Sequence, residues 1–196
     1  PERSSTAELL YDLMDPAVVD EEIARALYIG IIHDTGVLRY SNTAPHTLQV
    51  VSELIKFGFD FSKIIDDTFY EKTYVQTQIM GRAILESVRF MHDKCIVSMV
   101  SRRMMDFYQV TPQDLDGIVN QLLAVKGVEC AIFMYEIRTL EYKISMRSKG
   151  RVDVAAVAMR FGGGGHVRAA GCTMNGTYHD NINNLAIGIA EQLNIE

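Results

Sequence analysis

The first third of the chain sets its apolar residues at helical spacing. Ser5-x-x-Glu8 forms a capping box ahead of Leu9, Leu10 and Leu13, and Pro16 closes that helix. A second helix is predicted from about Asp20 to Ile32; its last turns, Ala26 to Ile32, are apolar all round and must be covered on more than one side. A third runs from about Pro45 to Phe57, with Leu48, Val51, Leu54 and Ile55 on one face, and stops at Gly58. A fourth, longer and kinked, is expected from about Ser62 to Ser87.

Past residue 88 the period changes. Lys94–Ser101, Val128–Ile137 and Glu141–Arg147 read as strands, and Ala170–Met174 as a short fourth. Between the first two, a helix starts at the capping box Thr111-x-x-Asp114 and carries Leu115, Ile118, Leu122 and Val125 to Gly127. Asp153 opens another, with Val154, Val157, Ala158 and Phe161 on one face and Gly162 at its end, and a last helix spans about Asn181 to Leu193. The pattern predicts an α/β chain: a mainly helical first part (1–88, including a long linker helix) and a small mixed-sheet α/β domain (89–196).

Composition narrows the class. With 48% hydrophobic and 22% charged residues, 14 Gly and 4 Pro in 196 residues, disorder, collagen and a disulfide scaffold are excluded. The longest apolar run falls far short of the roughly 20 residues of a membrane-spanning helix, and no signal-peptide pattern opens the chain. Cys95, Cys130 and Cys172 lie apart in apolar surroundings, which points to buried free thiols and a reducing compartment, the cytoplasm. The chain opens at Pro1 on residues that read as the interior of a domain, so a preceding segment is expected.

Charge divides the halves. Residues 1–88 carry a net −7 and residues 89–196 a net +1. Within the second half the stretch Arg138 to Arg168 holds Arg138, Lys143, Arg147, Lys149, Arg151, Arg160 and Arg168 against only Glu141 and Asp153, a field suited to a phosphate-bearing ligand; a solvated charged face is the other reading.

Three motifs carry candidate chemistry. Gly162-Gly163-Gly164-Gly165-His166 lies between a helix and a strand, and four glycines in succession imply positive φ angles or a backbone bared to a ligand. It is neither a P-loop, since no Lys-Ser/Thr follows, nor G-x-G-x-x-G. Arg147-Ser148-Lys149-Gly150 ends a strand with a guanidinium able to grip a phosphate bidentately, and with Arg168 it can share a pocket with the glycine run. His33-Asp34-Thr35-Gly36 follows the all-apolar helix: Asp34 is either a hard ligand for Mg2+ or Mn2+, or part of a helix C-terminus closed by Gly36. Asp66-Asp67 and Asp114-Leu115-Asp116 fit solvated or capping positions, and His92-Asp93 and His179-Asp180 fit exposed loops.

Taken together, Tyr28-Ile-Gly-Ile-Ile-His-Asp-Thr-Gly36, Arg147-Ser148 and Phe161-Gly-Gly-Gly-Gly-His166-Val-Arg-Ala-Ala-Gly171 resemble the DHH phosphoesterase superfamily with its DHH-associated C-terminal domain. The similarity is greatest to the NrnA-type branch, oligoribonucleases that also dephosphorylate pAp. The resemblance implies that Asp34 is a catalytic residue binding the Mn2+ pair (Mg2+ being the other candidate). It gives Arg147, Ser148, Gly163, Gly164, Gly165 and His166 the grip on substrate phosphate and nucleotide, with Arg168 beside them.

The family's earlier motifs, Asp-x-Asp, a further Asp and Asp-His-His, are not found here, and Asp114-x-Asp116 lies in the wrong domain to replace them. The chain therefore resembles the C-terminal part of such an enzyme, with the N-terminal part of its own domain missing, and is expected to bind short RNA or a small nucleotide. A cyclic-dinucleotide phosphodiesterase and a non-catalytic nucleotide-binding module stay open. A His-Asp-type metal phosphohydrolase would need more ligating histidines than the five here supply.

Overall fold

A computed structural model describes residues 3–40 and 42–195. The chain divides into two compact units, Pro1–Lys72 and Thr73–Glu196.

The first unit is helical: α1 (Thr6–Leu13), α2 (Glu21–Asp34), α3 (Pro45–Ile55) and α4 (Phe61–Ile65), the last running into a π turn over Asp66–Tyr70. The capping box of α1 is split. Ser5 Oγ accepts from Glu8 N (3.0 Å), but the Glu8 carboxylate turns away to accept from Ser4 N (2.7 Å), Ser4 Oγ and Thr47 Oγ1 (3.1 Å). A carboxylate only 1% exposed is costly without such donors, and here they tie the start of α1 to the start of α3. Leu27, Tyr28, Ile31 and Ile32 of α2 are buried against α1, α3 and α4. Gly30 marks the α1 crossing, since a Cβ there would lie 2.8 Å from that of Ala7.

The single helix expected over 62–87 is two. Glu71 is extended (ψ 131°), and α5 (Tyr74–Leu85) restarts at Thr73, whose hydroxyl accepts from Gln76 N while the Gln76 side chain accepts from Thr73 N. No Gly or Pro marks the break, so hydropathy reads through it. The chain therefore has no continuous linker helix, and the units meet at Lys72/Thr73 rather than 88/89. The cause is packing: Ile79 and Ala83 of α5 share a core with Ile96 and Val100, and Ser98 Oγ donates to Ala83 O (2.6 Å).

The second unit is built on one six-stranded sheet in the order β1-β2-β3-β4-β6-β5. The strands are β1 (Val88–Phe90), β2 (Cys95–Val100), β3 (Cys130–Arg138), β4 (Glu141–Ser148), β5 (Gly164–His166) and β6 (Ala169–Asn175). β2 and β3 are parallel and the other neighbours antiparallel. One face is covered by α8 (Val154–Met159) and α9 (Tyr178–Leu193), which bury Ile132, Met134, Ile144 and Met146 under Val157, Leu185 and Ile189. On the opposite face α5, α6 (Arg102–Tyr108) and α7 (Ile118–Leu123) cover β2 and β3. The helix expected from Thr111 to Gly127 is a short 3-10 turn (Pro112–Leu115) and α7, parted by Gly117 at φ +87°.

Candidate functional site

Strand parity builds the site. Along β4, Tyr142, Ile144, Met146 and Ser148 are buried toward α8 and α9, so Glu141, Lys143, Ser145 and Arg147 share the other face. β6 repeats the alternation: Ala170, Cys172 and Met174 are buried, while Ala169, Gly171, Thr173 and Asn175 take the opposite face. Register joins these into rows. His166, Ala169 and Arg147 form one, Gly164, Gly171 and Ser145 the next, and Thr173 with Lys143 a third. Arg147 and His166 thus flank a floor of small residues on one sheet face.

The glycine run forms the turn after α8 and then β5 itself. Gly162, at φ +71°, closes the helix. A Cβ on Gly163 would fall on the Gly171 carbonyl oxygen, and one on Gly165 on the Ala169 carbonyl oxygen, so both glycines let β5 lie close against its neighbour. Gly165 also sits at φ +146°. Gly164 differs: a Cβ there meets nothing within 4 Å, and its φ is one that other residues adopt. Folding alone gives no reason for a glycine at that position.

The structure separates the other sequence candidates. Ser148 is buried on the far face, where its Oγ accepts from Gly150 N (2.9 Å) and Val152 N (3.3 Å); it shapes the turn after β4 and does not face the Arg147 row. The Arg168 guanidinium packs against Gly150, close enough that a Cβ there would stand 3.2 Å from Nη2, while the Arg168 carbonyl accepts from Ser148 N (3.0 Å). Lys143, part of the basic run, has the strand parity of Arg147 and lies on the same face.

Asp34 belongs to the first unit. It is the last residue of α2, and its carbonyl accepts from Asn42 Nδ2 (3.1 Å). The carboxylate is exposed, with no hydrogen-bond or ion-pair partner among the described residues. Behind it Gly36, Val37 and Leu38 are all left-handed (φ +56°, +57°, +62°), wound around buried Thr35, whose carbonyl accepts from Arg39 N and Tyr40 N (3.0 and 2.9 Å). A β-branched residue in that region is strained, and such strain gathers at functional sites. His33 Nε2 lies 3.0 Å from Thr68 Oγ1, whose own proton goes to Ile64 O, so His33 carries its hydrogen on Nε2.

Among the described residues no three His, Cys, Asp or Glu side chains gather as a metal centre. A metal pair needs several carboxylates, so Asp34 by itself does not fit one. The second unit offers instead a guanidinium, an imidazole and a bare strand face, the means to hold an anion beside a flat group.

A family model described as the DHHA1 domain matches residues 92–193. The bifunctional oligoribonuclease and PAP phosphatase NrnA of Thermus thermophilus is 32% identical over 179 residues, 90% of this chain and 53% of that protein. The protein of the same name from Bacillus subtilis is 24% identical over 176 residues, 87% of this chain and 55% of its own length. The chain thus spans about half the length of these curated relatives. An exopolyphosphatase-related protein from Bacteroides fragilis superposes with a TM-score of 0.90 at 26% identity, over 97% of this chain and 57% of that one. Since the family model takes in more than half of the residues, including the Arg147 and His166 row, this chain belongs to the DHHA1 domain family.

Proposed function

We propose that this chain is the substrate-holding part of a phosphoesterase that degrades very short oligoribonucleotides or dephosphorylates pAp in the cytoplasm. Arg147 grips a phosphate through two N–H groups, His166 donates to it from the edge strand, and the nucleotide lies over Gly164, Ala169 and Gly171. Holding the substrate so converts a bimolecular encounter into a positioned one. The relatives' names, oligoribonuclease and PAP phosphatase, support the substrate class. Asp34 would contribute one ligand of a catalytic Mn2+ or Mg2+ centre completed by residues preceding this sequence.

The observation that carries the reading is Gly164, a glycine that the fold does not require on a face the fold leaves open. The test is titration of pAp, pApA and a cyclic dinucleotide into the chain and its Gly164→Val variant. Binding by the parent and loss in a variant of unchanged thermal stability is expected; equal binding by both sinks the reading. Hydrolysis with added Mn2+ is expected from a polypeptide extended upstream, abolished by Asp34→Ala, and not from this chain. Turnover by this chain alone would overturn the role given to Asp34.

A further inference from the structure

We infer that the same sheet face holds a second phosphate subsite at Lys143, so that the chain grips an oligonucleotide along β4. The inference rests on the site reading for Arg147 and His166 and goes beyond it in naming where a longer substrate continues. On the exposed face of β4, Arg147 is followed by Ser145 and then Lys143, about 14 Å away at the antiparallel rise per residue. Between the two cations the floor consists of Ser145, Gly171 and Gly164, a hydroxyl and two bare backbones.

Lys143 is exposed and has no carboxylate within ion-pair distance among the described residues. Thr173, its partner in register, sets a second exposed donor beside it. A flexible ammonium stem next to a hydroxyl suits an internucleotide phosphate, whose position varies more than that of a terminal one.

The track then ends. The next residue on this face of β4 is Glu141, half-buried and held 3.9 Å from Arg138, with Asn175 opposite. An ion pair there offers a third phosphate no free cation. The face therefore offers cations for two phosphates and a closed ion pair at the third position.

The experiment is calorimetric titration of AMP, pApA and pApApA into the 196-residue chain and its Lys143→Ala, Lys143→Arg and Glu141→Gln variants at low salt. The parent is expected to prefer pApA over AMP. Lys143→Ala loses about tenfold for pApA, the worth of a charge-assisted contact, and nothing for AMP, while Lys143→Arg retains the preference. pApApA gains nothing over pApA until Glu141 is neutralised. Unchanged pApA affinity in Lys143→Ala, or an equal loss for AMP, overturns the second subsite while leaving the first intact. Failure of the parent to bind either AMP or pApA overturns the Arg147 and His166 site itself.

Discussion

Arg147 and His166 stand on opposite sides of Ala169 in a single row across the sheet, although 18 residues and an intervening helix separate them in the chain. Their spacing is fixed by strand pairing and not by loop conformation, so each can be altered without moving the other. Arg147→Ala is expected to weaken pAp binding about tenfold or more, the value of a hydrogen-bonded charge. Arg147→Lys keeps the charge but loses the planar fork, and should recover part of the loss. Isothermal titration of both variants checks this, and a lysine variant equal to the parent would deny bidentate contact.

The glycines differ in what the fold demands of them. Gly165→Ala must find room against the Ala169 carbonyl and accept φ +146°, so a destabilisation of about 2 kcal/mol or more is expected in denaturant unfolding. Gly164→Ala meets neither obstacle and should leave stability unchanged or slightly raised while impairing nucleotide binding.

Ser148→Ala separates a ligand from a structural prop. Removing an oxygen that satisfies the N–H groups of Gly150 and buried Val152 is expected to cost about 1–3 kcal/mol. Any loss of affinity should vanish below the temperature at which the variant begins to unfold. A stable variant that cannot bind would restore Ser148 to direct contact.

The sequence reached β2 and β3 as apolar runs and β4 and β6 because their apolar residues alternate, and α8 because Asp153 caps an amphipathic run; α9 begins at Tyr178 behind the Thr177 cap, three residues before the expected start. β5 escaped it, since a strand of Gly164, Gly165 and His166 has no hydropathy to alternate. α6 escaped it because Arg102, Arg103 and Asp106 outnumber Met105, the one buried side chain of that helix. Residue type and context brought Arg147 and His166 forward as candidates, and the register shows that they share a row. What the sequence hides is that Ser148, adjacent to Arg147, lies on the opposite face of the strand. The left-handed turn at Gly36–Leu38 had no cue beyond its glycine.

Acid should loosen both units through their capping and bridging carboxylates. Hydrogen bonds from the Thr111 backbone and hydroxyl and from Gln76 hold Asp114 below its usual value, and Thr177 does the same for Asp180. For Asp12, burial pushes upward but is outweighed by His46 and Arg3. A depressed folded pKa contributes stability that is complete above the unfolded value, about 3.9, and lost as pH falls through the folded one. The unfolding midpoint is therefore expected to drop below about pH 4, and less steeply in Asp114→Asn. Thermal scans from pH 5 downward test it, and identical slopes would remove Asp114 from the account.

Both strands at the margins of the sheet, β1 and β5, are three residues long. The outer edge of each carries unpaired hydrogen-bonding groups that could pair with another copy, and longer borders would invite such templating. Brevity at β1, together with a glycine-rich border at β5, denies an incoming chain the length it needs to add a strand.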